Sequence, residues 1–587
     1  MRKLELACGV ALSTLVLTGL SNNAFAAATI QCAQLQGIVF DPNIKSITSA
    51  LSGAPGATQF CNVNINWGRS TDENIHIVVG LPNNSKDGGT GGIEGRWNGR
   101  TQGIGGGGCS GNLGVTSATN AGYVGSGTDG GHVGGDCEPG VNLDGTYNVT
   151  FIDDWSRVGL KQEILLSKQI ANTYYGAPPL YNYWNGCSTG GRQGYLLGQE
   201  LAGELDGILA GAPAIYWTRF QTAQMWGQFA MKDLAGGVIP AAKQNFATAR
   251  ATAACDSLDG IADGIVDDPR ACKYSAVADK GAICTANGGT SADPNCLTTG
   301  QAQAMDKIWD GARNKSGKKI WYHSDPGSGT TVWNGTNLFA LAGTQMHWDE
   351  HDRNFDWHTA TLFGAGGTKS YADIAQDGTT NQFLPGISLA DETDTVGTFD
   401  AFRAKGGKVL SYVGAYDNLI MHRGVIKYYR EQGARYTPSI AQAGGKGGPI
   451  DFTNVQQFYR LFRIPAAGHC ATGGVQFFPA LVNWVEHGVP PTQFNATIKA
   501  ASGQTPAIVR PICPYPQNAI YSGSGSTSDP ANFTCGSNLE TKQIVCKDIL
   551  IEYKKESGGP LDYTNSGFTN GDCQRSDVAD SHAQNGK

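Results

Sequence analysis

The sequence predicts an α/β fold in which a largely parallel sheet carries helices and is interrupted by one large insertion. Three observations lead to this prediction. Buried-strand patterns alternate with helical patterns up to residue 217 and again from about residue 401. A G-x-S-x-G pentapeptide lies between a predicted strand and a predicted helix. The stretch between the two parts lacks this alternation and is rich in Gly, Asp and Trp.

The predicted elements follow the chain in the order that strand–helix repeats require. In the first part, strands are expected at 75–81, 180–184 and 207–212, and helices at 153–175 and 193–201. In the second part, strands are expected at 408–414 and 457–464, and helices at 424–432 and 477–486. A Gly-rich loop is expected at 103–111.

The insertion at 218–400 is predicted to be a lid domain, because an insertion at this point covers the carboxyl edge of the sheet, where α/β proteins bind ligands. The α/β domain is then discontinuous, with residues 27–217 and 401–535, and residues 536–587 form a C-terminal extension of unpredicted role. Trp348, Phe355 and Trp357 in the lid are candidates to stack on a ligand ring, with ordinary core packing as the alternative.

The first 26 residues have the pattern of a signal peptide. Arg2 and Lys3 precede an apolar run, and Ala24-Phe25-Ala26 forms an A-x-A cleavage site. The run is short for a membrane span, although an uncleaved anchor is the alternative. The mature chain is therefore expected to be secreted or periplasmic, with no membrane contact. A net charge of −7 and the lack of a basic cluster argue against nucleic-acid partners.

The chain contains 15 cysteines, and 14 remain once Cys8 leaves with the signal peptide. In an oxidising compartment these can form disulfides, and no C-x-x-C spacing indicates a zinc site. Proximity along the chain predicts Cys32–Cys61, Cys109–Cys137, Cys255–Cys272, Cys284–Cys296, Cys513–Cys535 and Cys546–Cys573, with Cys187–Cys470 as a long-range pair. Sequence alone does not fix this connectivity.

Ser188, Asp417 and His469 are the candidate catalytic triad, in the chain order of α/β-hydrolases. Ser188 is the central residue of the pentapeptide, for which an ordinary Gly/Ser loop is the alternative. Among the 10 histidines, His469 follows a late strand and precedes a helix, and the alternative is a buried structural histidine. Asp417 follows a buried strand by a tight turn, while Asp394 and Asp400 compete for its role.

Each of the two main candidates has a cysteine as its neighbour: Cys187 precedes Ser188, and Cys470 follows His469. A disulfide holds its Cα atoms about 4.4–6.8 Å apart, so this bridge would keep the nucleophile beside its base. The N–H of Thr189 is the expected first oxyanion donor, and a second is expected from the glycines at 105–108. A flexible surface loop is the alternative for these glycines.

The acidic loop, residues 256–268, contains five aspartates. This density of hard oxygen ligands, with glycines that permit sharp turns, favours a structural Ca²⁺ site. The spacing does not fit an EF-hand, and a solvated acidic turn is the alternative.

Several motifs together resemble the tannase and feruloyl esterase family. They are Trp97-Asn98-Gly99-Arg100, Gly186-Cys187-Ser188-Thr189-Gly190-Gly191-Arg192, the acidic loop, Asp417, Gly468-His469-Cys470 and Arg510-Pro511-Ile512-Cys513-Pro514-Tyr515-Pro516. The resemblance implies an α/β-hydrolase core with a lid that holds structural Ca²⁺, and the triad named above. It also implies oxyanion donors at Gly108 and Thr189. The implied calcium ligands are the side chains of Asp256, Asp259 and Asp263 and the carbonyls of Ile261 and Ile265.

The resemblance further implies a serine esterase that acts on small esters of aromatic acids, either galloyl or feruloyl and related hydroxycinnamoyl esters. One branch hydrolyses mono(2-hydroxyethyl) terephthalate, and that branch has Glu where this chain has Thr189. The alternatives from other classes are a peptidase or lipase, and a non-catalytic, calcium-stabilised binding protein. Oligomeric state is not predicted.

Overall fold

Nine strands form the central sheet of the protein. The structure is a computed structural model, and it describes residues 29–54, 58–134, 148–217, 226–227, 230–231, 233–311, 321–328, 395–439, 450–498 and 507–537. They are β1 (Ile44–Ser52), β2 (Phe60–Trp67), β3 (Ile75–Pro82), β4 (Arg100–Ile104), β5 (Val124–Thr128), β6 (Tyr181–Cys187), β7 (Gly207–Gly211), β8 (Lys408–Gly414) and β9 (Tyr459–Ile464). Their order is β1-β2-β3-β5-β4-β6-β7-β8-β9. The pairs from β1 to β5 are antiparallel, and those from β5 to β9 are parallel.

Two short antiparallel sheets follow, β10 (Phe494–Ile498) with β11 (Ile508–Ile512) and β12 (Gln517–Tyr521) with β13 (Phe533–Ser537). The helices are α1 (Thr116–Asn120), α2 (Val149–Asp153), α3 (Gly159–Tyr175), α4 (Thr189–Glu200), α5 (Ala241–Cys255), α6 (Thr299–Asp310), α7 (Asp400–Ala404), α8 (His422–Arg435), α9 (Thr453–Gln456) and α10 (Phe477–His487). None of the helices in the described ranges is long and apolar enough to cross a lipid bilayer.

Helices cover both faces of the parallel half of the sheet. Successive strand residues point to opposite faces, so Trp184 and Ile208 belong to one buried cluster, and Tyr183 and Leu209 belong to another. The first cluster includes α4, while the second includes α10. Burial on both faces explains why these strands read as continuous apolar runs, and it confirms the predicted α/β class.

Every predicted element is present, and the largest differences from the prediction are at two helix starts. The helix expected from residue 153 begins at Gly159, because residues 154–158 form a π-helical turn after α2. The helix expected from residue 193 begins at Thr189, directly after Ser188. Gly103 lies within β4 and not in the Gly-rich loop, which therefore starts later than predicted.

The insertion lies in sequence between two strands that are neighbours in the sheet. Gly207 of β7 pairs with Lys408 of β8, although the whole insertion lies between them in sequence. The described part of the insertion has a buried cluster of its own, which includes Met231, Ala251 and Ile308. The domain boundaries stay a prediction. The candidate lid aromatics (Trp348, Phe355, Trp357), the predicted signal peptide (1–26) and nearly all of the C-terminal extension lie outside the described residues.

Candidate active site

Ser188 lies on a strained turn between β6 and α4. Its φ of 64° and ψ of −125° are unusual for a residue with a side chain. The turn is fixed by its backbone, since Ser188 N donates to the Gly211 carbonyl at 2.9 Å and the Ser188 carbonyl accepts from Ala214 N at 3.0 Å. A Cβ on Gly186 would lie 2.5 Å from the Gly190 backbone, so this turn requires glycine. The geometry is that of a nucleophile elbow.

A disulfide joins Cys187, the last residue of β6, to Cys470, in the turn after β9. Their Cα atoms are 5.9 Å apart. Since each cysteine is the immediate neighbour of one candidate, the structure brings Ser188 and His469 to the same place. No hydrogen bond joins these two side chains within the described residues. In enzymes without bound substrate this contact is often long and tightens when substrate binds.

Asp417 is the hydrogen-bond partner of His469. His469 Nδ1 lies 2.9 Å from Asp417 Oδ2 and 3.1 Å from Oδ1. The carboxylate is buried and also accepts hydrogen bonds from the N–H groups of Leu419 at 3.0 Å and Ile420 at 2.9 Å. Burial by itself lowers the pKa of His469, but the charge and hydrogen bond of Asp417 outweigh it and raise the pKa. Asp417 thus orients the ring through its Nδ1.

The two turns that carry Asp417 and His469 are bonded to each other through their backbones. Ala415 N donates to Ile464 O, and Tyr416 N donates to Ala467 O, both at 2.9 Å. The competing Asp400 lies at the start of α7, where it pairs with Arg435 at the protein surface. The other competitor, Asp394, lies outside the described residues.

The two predicted oxyanion donors lie on segments that pack against each other. Neither Gly108 N nor Thr189 N donates a hydrogen bond within the described residues. The Thr189 hydroxyl donates to the Gly108 carbonyl at 2.6 Å, and Gly190 N donates to Gly106 O at 2.8 Å. A Cβ on Gly105 would lie 2.5 Å from Gly190 Cα, which explains the run of glycines. Sequence reasoning used only the Thr189 backbone and missed its side chain.

The acidic loop is folded around its own carboxylates. Asp256 Oδ1 accepts hydrogen bonds from the N–H groups of Asp263, Gly264 and Ile265, at 3.2, 2.9 and 3.1 Å. The buried guanidinium of Arg510, on β11, pairs with Asp263 and with Asp267. The carboxylates are thus partly satisfied by the protein itself.

The donor chemistry of the acidic loop fits Ca²⁺. Its donors are all oxygens, and the carbonyls of the buried residues Ile261 and Ile265 accept no hydrogen bond from the described residues. Burial and the charge of Asp267 raise the pKa of Asp259 to about 7, so the negative charge here is incompletely balanced. In the described part of the chain, no three or more His, Cys, Asp or Glu side chains already converge as a metal site.

A family model for tannase and feruloyl esterase matches residues 93–536, which include the nucleophile elbow, the acidic loop, Asp417 and His469. The chain belongs to the tannase and feruloyl esterase family. It is 30% identical to a probable feruloyl esterase of Arthroderma benhamiae over 82% of this chain and 86% of that protein. It is also 30% identical to the mono(2-hydroxyethyl) terephthalate hydrolase of Piscinibacter sakaiensis, over 75% and 79% of the two chains.

Solved structures of this family share the fold. Feruloyl esterase B from Aspergillus oryzae aligns with a TM-score of 0.67 at 23% identity, over 86% of this chain and 99% of its own. Tannin acyl hydrolase from Aspergillus niger aligns with a TM-score of 0.66 at 22% identity, over 87% and 95%. The α/β-hydrolase class predicted from the sequence is confirmed, and family membership makes this chain a carboxylic ester hydrolase.

The Trp97–Arg100 motif, one of the sequence signals for the family, has a structural role. The Trp97 ring stacks on Tyr175, with ring centroids 4.2 Å apart. Arg100 donates from Nε and Nη2 to the carboxylate of Glu486 on α10, and Tyr183 donates to the same carboxylate at 2.6 Å. The motif thus attaches α10, the helix after His469, to the sheet. Nothing in the sequence beyond the motif itself indicates this pairing.

Proposed function

We propose that the protein is an exported serine esterase that hydrolyses esters of aromatic carboxylic acids through an acyl-enzyme. The observation that carries the proposal is the Cys187–Cys470 disulfide, which places the Ser188 elbow beside His469, itself bonded to buried Asp417. A serine hydroxyl is a weak nucleophile without such a base, and the base needs a carboxylate to fix its tautomer. The disulfide and the hydrogen bond between His469 and Asp417 support that arrangement here.

In the proposed mechanism, His469 Nε2 accepts the hydroxyl proton of Ser188 as Oγ attacks the ester carbonyl carbon. The N–H groups of Gly108 and Thr189 donate to the oxyanion of the tetrahedral intermediate. The carbon–oxygen bond to the alcohol then breaks, and His469 returns the proton to the leaving alcohol. Water, deprotonated by the same imidazole, attacks the acyl-enzyme, releases the aromatic acid and restores Ser188.

The substrate class follows from the relatives. One of the two relatives compared above is named as a probable feruloyl esterase, and the other as a mono(2-hydroxyethyl) terephthalate hydrolase. Ferulic acid and terephthalic acid are both aromatic. We favour feruloyl, related hydroxycinnamoyl or galloyl esters as substrates. Terephthalate monoester hydrolysis is the second candidate, because that relative is as similar in identity as the feruloyl esterase.

Export and calcium complete the proposal. The five disulfides among the described residues would not persist in a reducing cytoplasm, and they agree with the signal-peptide pattern. The Cys109–Cys137 and Cys546–Cys573 pairs stay predictions, since Cys137, Cys546 and Cys573 lie outside the described residues. Ca²⁺ in the acidic loop would be held by Asp256, Asp259, Asp263 and the carbonyls of Ile261 and Ile265, and would supply structural charge balance.

The test compares the mature protein with Ser188→Ala and with the control Ser524→Ala, at an exposed loop position. Each is assayed on methyl ferulate, methyl caffeate, methyl gallate and mono(2-hydroxyethyl) terephthalate, and is incubated with a fluorophosphonate probe. We expect turnover and labelling in the wild type and in the control, and neither in Ser188→Ala. Labelling of Ser188→Ala at the wild-type rate would remove the nucleophile assignment. Binding of the esters by wild type without turnover would favour a non-catalytic binding protein.

A further inference from the structure

The turn that carries Asp417 is attached to the insertion as well as to the sheet. Tyr416, the residue before Asp417, is 1% exposed, and its side chain reaches into the acidic loop. Its hydroxyl accepts a hydrogen bond from Val266 N at 3.0 Å. The mechanism above does not use this tyrosine, although its hydroxyl is buried and hydrogen-bonded.

The position of Val266 is well defined because a disulfide and several ion pairs fix the acidic loop. The Cys255–Cys272 disulfide closes the segment that contains the loop. Arg510, which is fully buried, pairs with Asp267 at 3.1 Å, and Arg463 of β9 pairs with Asp268 at 2.6 Å. Val266 itself is buried in the cluster of the insertion. A group bonded to this loop is therefore held in a defined position relative to the sheet.

The same turn contacts the insertion again on its other side. Leu419, whose N–H donates to Asp417 Oδ1, packs against both the cluster of the sheet and the cluster of the insertion. At the start of α8, His422 Nε2 lies 2.9 Å from buried Asp325, and Arg423 Nε donates to the same carboxylate at 2.8 Å. The insertion thus holds the turn both before and after Asp417.

Tyr416 also contacts the turn that carries the base, through its backbone N–H to Ala467 O. We propose that Tyr416 is a positioning residue, through which the acidic loop holds the Asp417 carboxylate against His469. The inference rests on the proposed function, since it assigns a role within that triad. In this view the insertion supports the geometry of the catalytic acid, in addition to any role as a cover for the substrate.

Tyr416→Phe tests this role because it removes the hydroxyl and keeps the ring. We expect kcat to fall about tenfold or more, since small displacements of a catalytic group are costly, while KM stays within about twofold. If the Asp417–His469 contact is weaker in the variant, the pKa of the His469 imidazole is raised less than in the wild type and is therefore lower. Since His469 must be neutral to act as a base, the acidic limb of the kcat/KM profile is expected to move to lower pH.

Tyr175→Phe is the matched control, since Tyr175 is also buried and its hydroxyl donates to a backbone carbonyl, that of Pro82, at 2.6 Å. It lies in the buried cluster around β1 to β3. We expect this variant to lose thermal stability without a change in kcat or in the pH profile. A folded Tyr416→Phe with wild-type kcat would overturn the proposal, and so would a loss of kcat with an unmoved acidic limb.

Two further measurements keep the inference testable if Tyr416→Phe does not fold or if the wild type has no turnover. Leu419→Ala loosens the second contact without leaving a buried polar group unpaired, and is expected to shift the acidic limb in the same direction. NMR titration of ¹³C-labelled histidine, with the His469 signal identified by its loss in His469→Gln, reports the imidazole pKa without any substrate. An unchanged His469 pKa in both Tyr416→Phe and Leu419→Ala would refute the positioning role, even where the esterase assignment has failed separately.

Discussion

Cys187 and Cys470 are bonded to each other across 283 residues of sequence, and their Cα atoms lie 5.9 Å apart. One ends a central strand, and the other lies in the turn after the last strand of the sheet. Through this bond the nucleophile elbow and the histidine turn share a covalent connection that does not depend on the packing of the insertion between them. The bond is therefore expected to matter for catalysis as well as for stability.

The variant Cys187→Ser/Cys470→Ser tests this expectation. We expect kcat/KM to fall by about 100-fold, because Ser188 and His469 lose their fixed spacing, and the free energy of unfolding to fall by about 2–5 kcal/mol. Cys284→Ser/Cys296→Ser is the control, since that bond closes a 12-residue separation in the insertion. The control should lose stability and keep its kcat/KM below its melting temperature. Equal kcat/KM in the two double variants would contradict the positioning role of the long-range bond.

The pH profile should reveal the influence of Asp417 on His469. Because the pKa of His469 is raised above its usual value of 6.5, we expect wild-type kcat/KM to fall as the pH drops through a midpoint above 6.5. Asp417→Asn removes the carboxylate charge that raises the pKa of His469, so the midpoint should move to lower pH. The variant also no longer stabilises the His469 tautomer with the proton on Nδ1, so kcat should fall about 10⁴-fold. Asp400→Asn, at a surface ion pair, should leave the profile unchanged. A wild-type midpoint below 6.5 would be inconsistent with this account.

Glu163, fully buried on α3, should make stability depend on pH. Its Oε1 accepts a hydrogen bond from Ser126 Oγ at 2.9 Å, and burial raises its pKa from 4.5 to about 8. The folded state therefore keeps a proton that the unfolded state releases above pH 4.5, so this contribution to stability is lost as the pH rises from 4.5 to about 8.

Glu163→Gln should remove that dependence. The variant should gain stability relative to the wild type between pH 5 and pH 8, by about 1.4 kcal/mol for each unit of the shift titrated in that range. The measurement is the free energy of urea unfolding at both pH values. Glu200→Gln, at an ion pair on the surface of α4, is the control. A difference between wild type and Glu163→Gln that is the same at both pH values would contradict the prediction.

Removal of Ca²⁺ should destabilise the protein through the acidic loop. A ligand that binds only the folded state contributes about 2.7 kcal/mol at a hundredfold excess over its Kd. We therefore expect EGTA to lower the melting temperature, and CaCl₂ but not MgCl₂ to restore it. Asp256→Asn should abolish this response, while Asp529→Asn, at an exposed acid outside the loop, should keep it. A melting temperature indifferent to EGTA in wild type would remove the metal from the proposal.

The sequence predicted those parts of the fold and site that depend on local signals. β8 runs from Lys408 to Gly414 as predicted, because an apolar run buried on both faces has a clear signature. Ser188 and Asp417 could be proposed as site residues because their turns have recognisable residues and lie at strand ends. Strands β1 and β2, at the antiparallel end of the sheet, mix polar and apolar residues and were not predicted.

Apart from the Cys187–Cys470 disulfide, the long-range contacts could not be read from the sequence. Arg100 and Glu486 are separated by 386 residues, and neither has a neighbouring pattern that identifies its partner. The same holds for the Tyr416 hydroxyl and Val266, and for the Thr189 hydroxyl and the Gly108 carbonyl. Such pairs depend on how the elements pack in three dimensions, which periodicity and turn chemistry do not encode.

The order in which the cysteines are synthesised gives the long-range disulfide a biosynthetic cost. Cys187 is made long before Cys470, and Cys255, Cys272, Cys284 and Cys296 all appear between them. Until Cys470 has been synthesised, the Cys187 thiol has only incorrect partners, and any bond it forms must be reshuffled by thiol–disulfide exchange over seconds to hours. A host with little disulfide isomerase should therefore yield full-length, exported protein of low specific activity, which an isomerase with a glutathione buffer should restore.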